Sequence, residues 1–261
     1  MAPNVHLIAA ATTSGTGSES TQFATFYKNK VKMSLDHISV LPKLVLMDPG
    51  FTVGLPKFQT ASTGADALCQ AIESFWNINS TNESKEYAKK AIQLAFENLK
   101  EATLEGSSES RLAMSEASYL AGKAINITRT TAPHAISYPM TSHFGVSHGE
   151  AVALSLPEFL QFNSFVSEKD CNDKRGDEFV RTQLSELIEL FDCSTVDGAV
   201  RKLKELFLSC GLRQNLTELG IDSDKKIDVI IENGFNPARV KNNPRRLDTN
   251  SLRTLLENIR A

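Results

Sequence analysis

Asp66 and Gln70 stand four residues apart in Thr63-Gly64-Ala65-Asp66-Ala67-Leu68-Cys69-Gln70-Ala71-Ile72-Glu73. In a helix that spacing puts both side chains on one face, leaving Leu68, Ile72 and Phe75 to pack the other way. Alone, the pair describes a solvated helix face. A second group changes its meaning: His134 and His148 lie fourteen residues apart, with His143 between them, in a segment rich in small and aromatic residues. Neutral imidazoles are good ligands for Fe²⁺ or Zn²⁺, and a hard carboxylate beside two of them, with a position left open, suits a catalytic metal. Histidines that satisfy core hydrogen bonds are at least as common, so spacing alone leaves both readings standing.

A third candidate is the run Ser14-Gly15-Thr16-Gly17-Ser18-Glu19, which is loop chemistry. Most such loops are turns only.

The elements that would hold these groups fall into two parts. Val5 to Thr13 is a short apolar and β-branched run emptying into the Gly-rich turn, and Lys43 to Met47 is another, closed by Asp48-Pro49-Gly50. Both read as strands. After Leu55-Pro56 helical periodicity takes over. Ser80-Thr81-Asn82-Glu83 has the capping-box pattern ahead of Ala88, Ala91, Ile92, Ala95 and Leu99 at helical spacing. Arg111–Asn126, Glu150–Phe162, Gln183–Phe191, Val196–Cys210 and Ser251–Ile259 read as further helices, and the polar stretch Ser167–Asp177 as a surface loop. The expected division is therefore an α/β part over residues 1–55 and a helical part over 56–261. Two strands do not make a stable sheet by themselves, so the α/β part reads as the end of something larger.

Composition narrows the field. The 261 residues are 41% hydrophobic and 23% charged, values of a globular protein with room for a full core. A net charge of −3 gives no general attraction to nucleic acid or anionic lipid, and no apolar run approaches a membrane span. The apolar run Leu7 to Ala11 is too short for a secretory signal and has no basic segment before it. Cysteines 69, 171, 193 and 210 show no Cys-x-x-Cys spacing, which points to free thiols and a cytoplasmic location.

Thr12-Thr13-Ser14-Gly15-Thr16-Gly17-Ser18-Glu19, Thr63-Gly64-Ala65-Asp66-Ala67-Leu68, and the paired His134 and His148-Gly149 occur in an order and spacing that resemble the iron-containing alcohol dehydrogenases. Lys32, Asp48-Pro49, Leu55-Pro56, Asn163 and Asn243-Pro244-Arg245 fall where that family has similar residues, so the resemblance covers nearly the whole chain. It implies the dehydroquinate synthase-like fold of that family: the end of a Rossmann-like nucleotide-binding domain followed by a mainly α-helical metal-binding domain. The family's Gly-Gly-Gly-Ser pyrophosphate loop has no match here, so the resemblance implies an incomplete fold in which the front of the nucleotide-binding domain is missing.

The resemblance also assigns residues. A divalent metal, Fe²⁺ or Zn²⁺, is expected on Asp66, position 70, His134 and His148, where position 70 is glutamine instead of the family's histidine. Gln70 offers only a neutral carbonyl oxygen, which weakens the metal shell. NAD or NADP is expected along Thr12, Thr13, Gly15, Thr16 and Gly17, with Lys32 adding charge. Tyr138 stands where many members have another histidine that relays the alcohol proton. A phenol, with a pKa of about 10, relays protons only with help from a metal or cation and otherwise lines the pocket.

The implied reaction is hydride transfer between NAD(P)H and an aldehyde or primary alcohol, in a homodimer. The sequences around Asp66 and His134 look most like the phosphonoacetaldehyde reductase branch. A phosphonate calls for cationic donors, for which Lys123, Arg129 and His143 are candidates. The alternatives are a non-redox, dehydroquinate-synthase-like relative and a catalytically impaired family member.

Overall fold

A computed structural model describes residues 6–28, 31–235 and 240–261. Before Lys57 the described residues form two separate two-stranded sheets. Strand β1 (Ile8–Ala10) pairs in parallel with β4 (Leu44–Leu46), Ile8 opposite Leu44. Between them, β2 (Phe23–Lys28) and β3 (Val31–Asp36) form an antiparallel hairpin. Sequence reading places β1 and β4 but misses the hairpin, although Val31, Met33 and Leu35 alternate with polar residues as a half-buried strand does. Asp48-Pro49-Gly50 ends β4 as anticipated: the Asp48 carboxylate accepts from the Gly50 amide at 2.8 Å at the start of a 3₁₀ turn.

From Lys57 on the described chain is helical. Helix α1 (Lys57–Trp76) starts directly after Pro56, and from Thr60 to Trp76 all but one of its residues are buried. A helix covered on every side must lie at the centre of a domain. Around it pack α2 (Asn82–Leu104), α3 (Ser108–Thr128), α5 (His148–Ser164) and α6 (Asp177–Glu189); α4 (Ala132–Phe144) packs on α5. Helices α7 (Val196–Ser209), α8 (Asp224–Gly234) and α9 (Thr249–Asn258) complete the arrangement. One apolar cluster runs through it, from Leu68, Ile72 and Trp76 to Phe159, Phe191 and Phe207.

Two details depart from the sequence reading. The capping box of α2 is built on Thr81 and Ser84, not Ser80 and Glu83, with Ser84 N–H donating to Thr81 Oγ1 at 3.1 Å. The Ser80 hydroxyl is already taken as acceptor by Arg175 (3.1 Å) and Gln183 (2.8 Å). Secondly, Ala132–Phe144 is a helix although Pro139 in its interior argues against one; Pro133 falls in the first turn, where a missing N–H costs no helical hydrogen bond. Asn163 and Asn243 exchange amide hydrogen bonds at 3.3 and 2.7 Å, a buried pair tying α5 to the segment before α9.

Candidate metal centre

Asp66, Gln70 and Glu73 occupy positions i, i+4 and i+7 of α1, which form one stripe along the helix. Two other helices begin against that stripe. His134 is the third residue of α4 and His148 the first of α5. Helix N-termini carry partial positive charge, so two of them converge on buried carboxylates that need it. The approach of α5 depends on Gly149, where an added Cβ would lie 1.8 Å from the Ser62 carbonyl oxygen and 3.1 Å from the Asp66 Cβ. Ser62 and Ser147 share a hydrogen bond of 2.6 Å across the same junction.

The result is a cluster of Asp66, His134 and His148 whose ligand atoms all lie within 4.8 Å of one another, the one such group of three among the described residues. His134 Nε2 is 3.1 Å and His148 Nε2 3.8 Å from the same Asp66 carboxylate oxygen. Asp66 and His134 are buried, whereas His148 is partly exposed, leaving the centre open on one side.

Each imidazole is held from behind. His134 Nδ1 is hydrogen-bonded to the fully buried carboxylate of Glu73. His148 Nδ1 lies 3.1 Å from Ser137 Oγ, whose own hydroxyl donates to the His134 carbonyl at 2.8 Å. Ser137 therefore accepts from His148, whose ring carries its proton on Nδ1 when neutral, whereas His134 has a carboxylate facing each ring nitrogen. The His148 Nε2 lone pair then faces the Asp66 carboxylate, acceptor against acceptor, and a neutral His134 can donate to only one of its two carboxylates. Such an arrangement is stable only with a cation between them, whether a proton or a metal. Burial pulls the His134 pKa down, but the charge of Glu73 and hydrogen bonds to Asp66 and Glu73 overcome it and raise the pKa to about 9.

Gln70 supplies a further sign of fit. Its side-chain oxygen is buried and has no hydrogen-bond partner, one turn along α1 from Asp66. An unsatisfied buried acceptor costs about 1–3 kcal/mol, a cost that a bound cation within its reach would remove. The donor set of one carboxylate and two imidazoles fits a borderline divalent ion.

Tyr138, one turn beyond His134, stacks on His148 with ring centroids 5.6 Å apart and planes at 10°. His143 lies nine residues beyond His134, half a turn round α4, and is exposed, its ring against Phe144. Lys123 lies over the rings of Tyr87 and Tyr119, and Arg129 is ion-paired with Asp36 and lies over Phe23. Both cations thus have partners away from the three ligands.

The Gly-rich loop docks along α3. Ser14 bonds Ser115 (2.9 Å), the Gly17 amide donates to Ser118 Oγ (3.3 Å), and Ser20 Oγ donates to the Tyr119 carbonyl (2.8 Å). Gly17 has φ +61° and sits where a Cβ would be 2.5 Å from Gly122; a Cβ on Gly15 would be 2.6 Å from Thr63. These two glycines are thereby required by packing, whatever else they do. Thr12 and Thr16 are exposed and Thr13 half-buried, and the Thr16 hydroxyl donates to Ser18 Oγ at 3.0 Å within the loop. The side chain of Lys32 lies outside the described residues.

Glu73 was not singled out as a functional residue by sequence. The available signal was an acidic residue seven beyond Asp66 in a helix otherwise filled with apolar and small residues.

Comparison with known proteins agrees with this geometry. Residues 60–260 match the model of the Fe-containing alcohol dehydrogenase family, C-terminal part, and residues 1–49 match that of iron-containing alcohol dehydrogenase. The chain belongs to the iron-containing alcohol dehydrogenase family. Among its relatives is the phosphonoacetaldehyde reductase of Streptomyces viridochromogenes, 35% identical over 97% of this chain and 64% of that protein. Alcohol dehydrogenase 4 of Schizosaccharomyces pombe is 31% identical over 93% of this chain and 56% of its own length. The crystal structure of sulfoacetaldehyde reductase from Bifidobacterium kashiwanohense with NAD⁺ superimposes with a TM-score of 0.85 at 30% identity, covering 98% of this chain and 65% of that one. The chain thus spans between 56% and 65% of the length of these relatives. No helix of the described residues is long and apolar enough to cross a membrane.

Proposed function

We propose that the chain is the metal-holding part of an NAD(P)-linked oxidoreductase that interconverts an aldehyde and a primary alcohol. The observation that carries this reading is the convergence of Asp66, His134 and His148 at the start of two helices, with their outer nitrogens held by Glu73 and Ser137. In this reading residues 1–55 belong to a nucleotide-binding domain and 56–261 form the metal-binding domain. The change from strands to helices at Lys57 supports that division.

Asp66, His134 and His148 would hold Fe²⁺ or Zn²⁺, with Gln70 as a weak fourth donor. Bound there, the cation supplies Lewis acidity toward a carbonyl or alkoxide oxygen, and a nicotinamide supplies or takes the hydride. Tyr138, stacked on His148, walls the open side and orients that ring. The loop face of Thr12, Thr13 and Thr16 offers hydroxyls to a dinucleotide, with Gly15 and Gly17 holding the loop against α1 and α3.

The favoured substrate is a short aldehyde with an oxyanion group. Two relatives named above act on phosphonoacetaldehyde and sulfoacetaldehyde, which share that chemistry. A cytoplasmic homodimer is part of the same proposal; four free cysteines support the reducing location.

The test is metal content and aldehyde-dependent loss of NAD(P)H absorbance, with phosphonoacetaldehyde, sulfoacetaldehyde and acetaldehyde compared. Asp66→Ala and His148→Ala should each abolish metal retention; retention in both would sink the proposal.

A further inference from the structure

The Glu73 carboxylate is buried beyond reach of water, so each of its oxygens must be satisfied by protein donors. The two oxygens face different groups. Oε1 accepts from the Thr131 amide (3.0 Å), the Thr131 hydroxyl (2.8 Å) and the His134 amide (3.4 Å). These amides open helix α4, whose N-cap residue Thr131 makes no cap hydrogen bond with its own side chain. Oε2 meets His134 Nδ1. One carboxylate therefore caps the helix and holds the ring of a residue on that helix.

We propose that Glu73 is a positioning residue that fixes His134 as the Nδ1–H tautomer, turning the Nε2 lone pair toward Asp66 and His148 to receive a divalent cation. The inference rests on reading that trio as a metal centre. Its logic is the donor and acceptor inventory. An ionised carboxylate accepts at both oxygens, whereas glutamine, of nearly the same shape, accepts at one end and donates at the other.

Glutamine at position 73 cannot serve both sides. If its oxygen caps α4, its NH₂ faces Nδ1, which must then accept, and the ring proton moves to Nε2, where it blocks ligation. If it turns over, the NH₂ faces two backbone N–H groups that cannot change role, leaving buried donors unsatisfied. The backbone constraint makes the first arrangement the better one. Glu73→Gln thus keeps the fold and reverses the tautomer. Loss of an outer-shell partner of this kind typically weakens metal binding about 10–100-fold.

The experiment uses Zn²⁺ as probe on the 261-residue chain, with affinity measured by chelator competition for wild type, Asp66→Ala and Glu73→Gln. Melting curves of the metal-free proteins are recorded alongside. Nitrogen-15 NMR of the metal-free wild type and Glu73→Gln, in buffer alkaline enough for a neutral ring, reads the His134 tautomer. Glu73→Gln should melt close to wild type, bind Zn²⁺ at least about tenfold more weakly and carry its ring proton on Nε2, where wild type carries it on Nδ1. Wild-type affinity in Glu73→Gln, with Asp66→Ala stripped of Zn²⁺, would overturn the role of Glu73 alone. Zn²⁺ held undiminished by Asp66→Ala would overturn the metal centre itself. A wild-type ring protonated on Nε2 would refute the tautomer assignment even if Glu73→Gln did not fold.

Discussion

The two parts of this chain bury their apolar residues very differently. In α1, Leu68, Ile72 and Trp76 are fully buried, and the polar side chains of Asp66, Gln70 and Glu73 are buried with them. In the parallel pair β1 and β4, by contrast, Ile8, Leu44 and Leu46 are each about half exposed. Parallel strands ordinarily have both faces covered, so this pair carries little of the stability of the structure described. The helices carry it. A metal centre needs side chains held within a fraction of an ångström, and that requires rotamers locked by surrounding packing. The candidate metal centre lies in this well-packed part, with His148 alone of its three ligands partly exposed.

That contrast can be broken most forcefully at its centre. Asp66→Ala removes the carboxylate that both Nε2 atoms face and should lower metal affinity more than 100-fold, about 3 kcal/mol or more, read by chelator competition. Gly149→Val should be next: its Cβ would enter the Ser62 carbonyl, forcing α5 away from α1. The expected loss is about 1–3 kcal/mol in thermal unfolding, together with loss of metal retention as His148 is displaced. Gln70→His sharpens the comparison in the other direction. It puts a stronger donor beside the trio and should tighten Zn²⁺ binding about tenfold, or roughly 1.4 kcal/mol. An unchanged affinity would show that position 70 does not reach the ion.

Titration probes the same centre more gently. The metal-free protein gains stability from protonated His134, whose pKa rises from 6.5 unfolded to about 9 folded. A raised pKa means the gain is full below pH 6.5 and is lost as pH climbs through 9. Denaturation of the metal-free chain should therefore become easier across that window. Because metal and proton compete for the same site, Zn²⁺ affinity should rise over the same range. At the other extreme, Leu44→Ser in β4 should change unfolding free energy by less than about 0.5 kcal/mol, since the side chain is 53% exposed. A large loss there would mean that the strands are better covered than they look.

Most of the long helices can be read from periodicity because their buried faces repeat at helical spacing; α2 and α7 are clear instances. Helix α4 is not legible in that way. Pro139 speaks against it locally, and its start depends on a carboxylate from α1, some sixty residues earlier in the chain. The hairpin β2–β3 and helix α8 were open to reading; Val31, Met33 and Leu35, and Ile227, Ile230 and Ile231, carry the right periods.

Of the candidate site, residue order selected Asp66, His134 and His148 only when read through the resemblance to the iron-containing alcohol dehydrogenases, which also flagged Gln70 as the odd member. Ligand type and spacing along one chain are properties of sequence. Tertiary structure alone decided that Glu73 stands behind His134 and Ser137 behind His148, that His143 faces solvent, and that Lys123 and Arg129 are engaged elsewhere. The reason is physical: a tautomer, a helix cap or an ion pair is fixed by which groups from distant helices meet, and helix contacts such as that at Gly149 set those meetings.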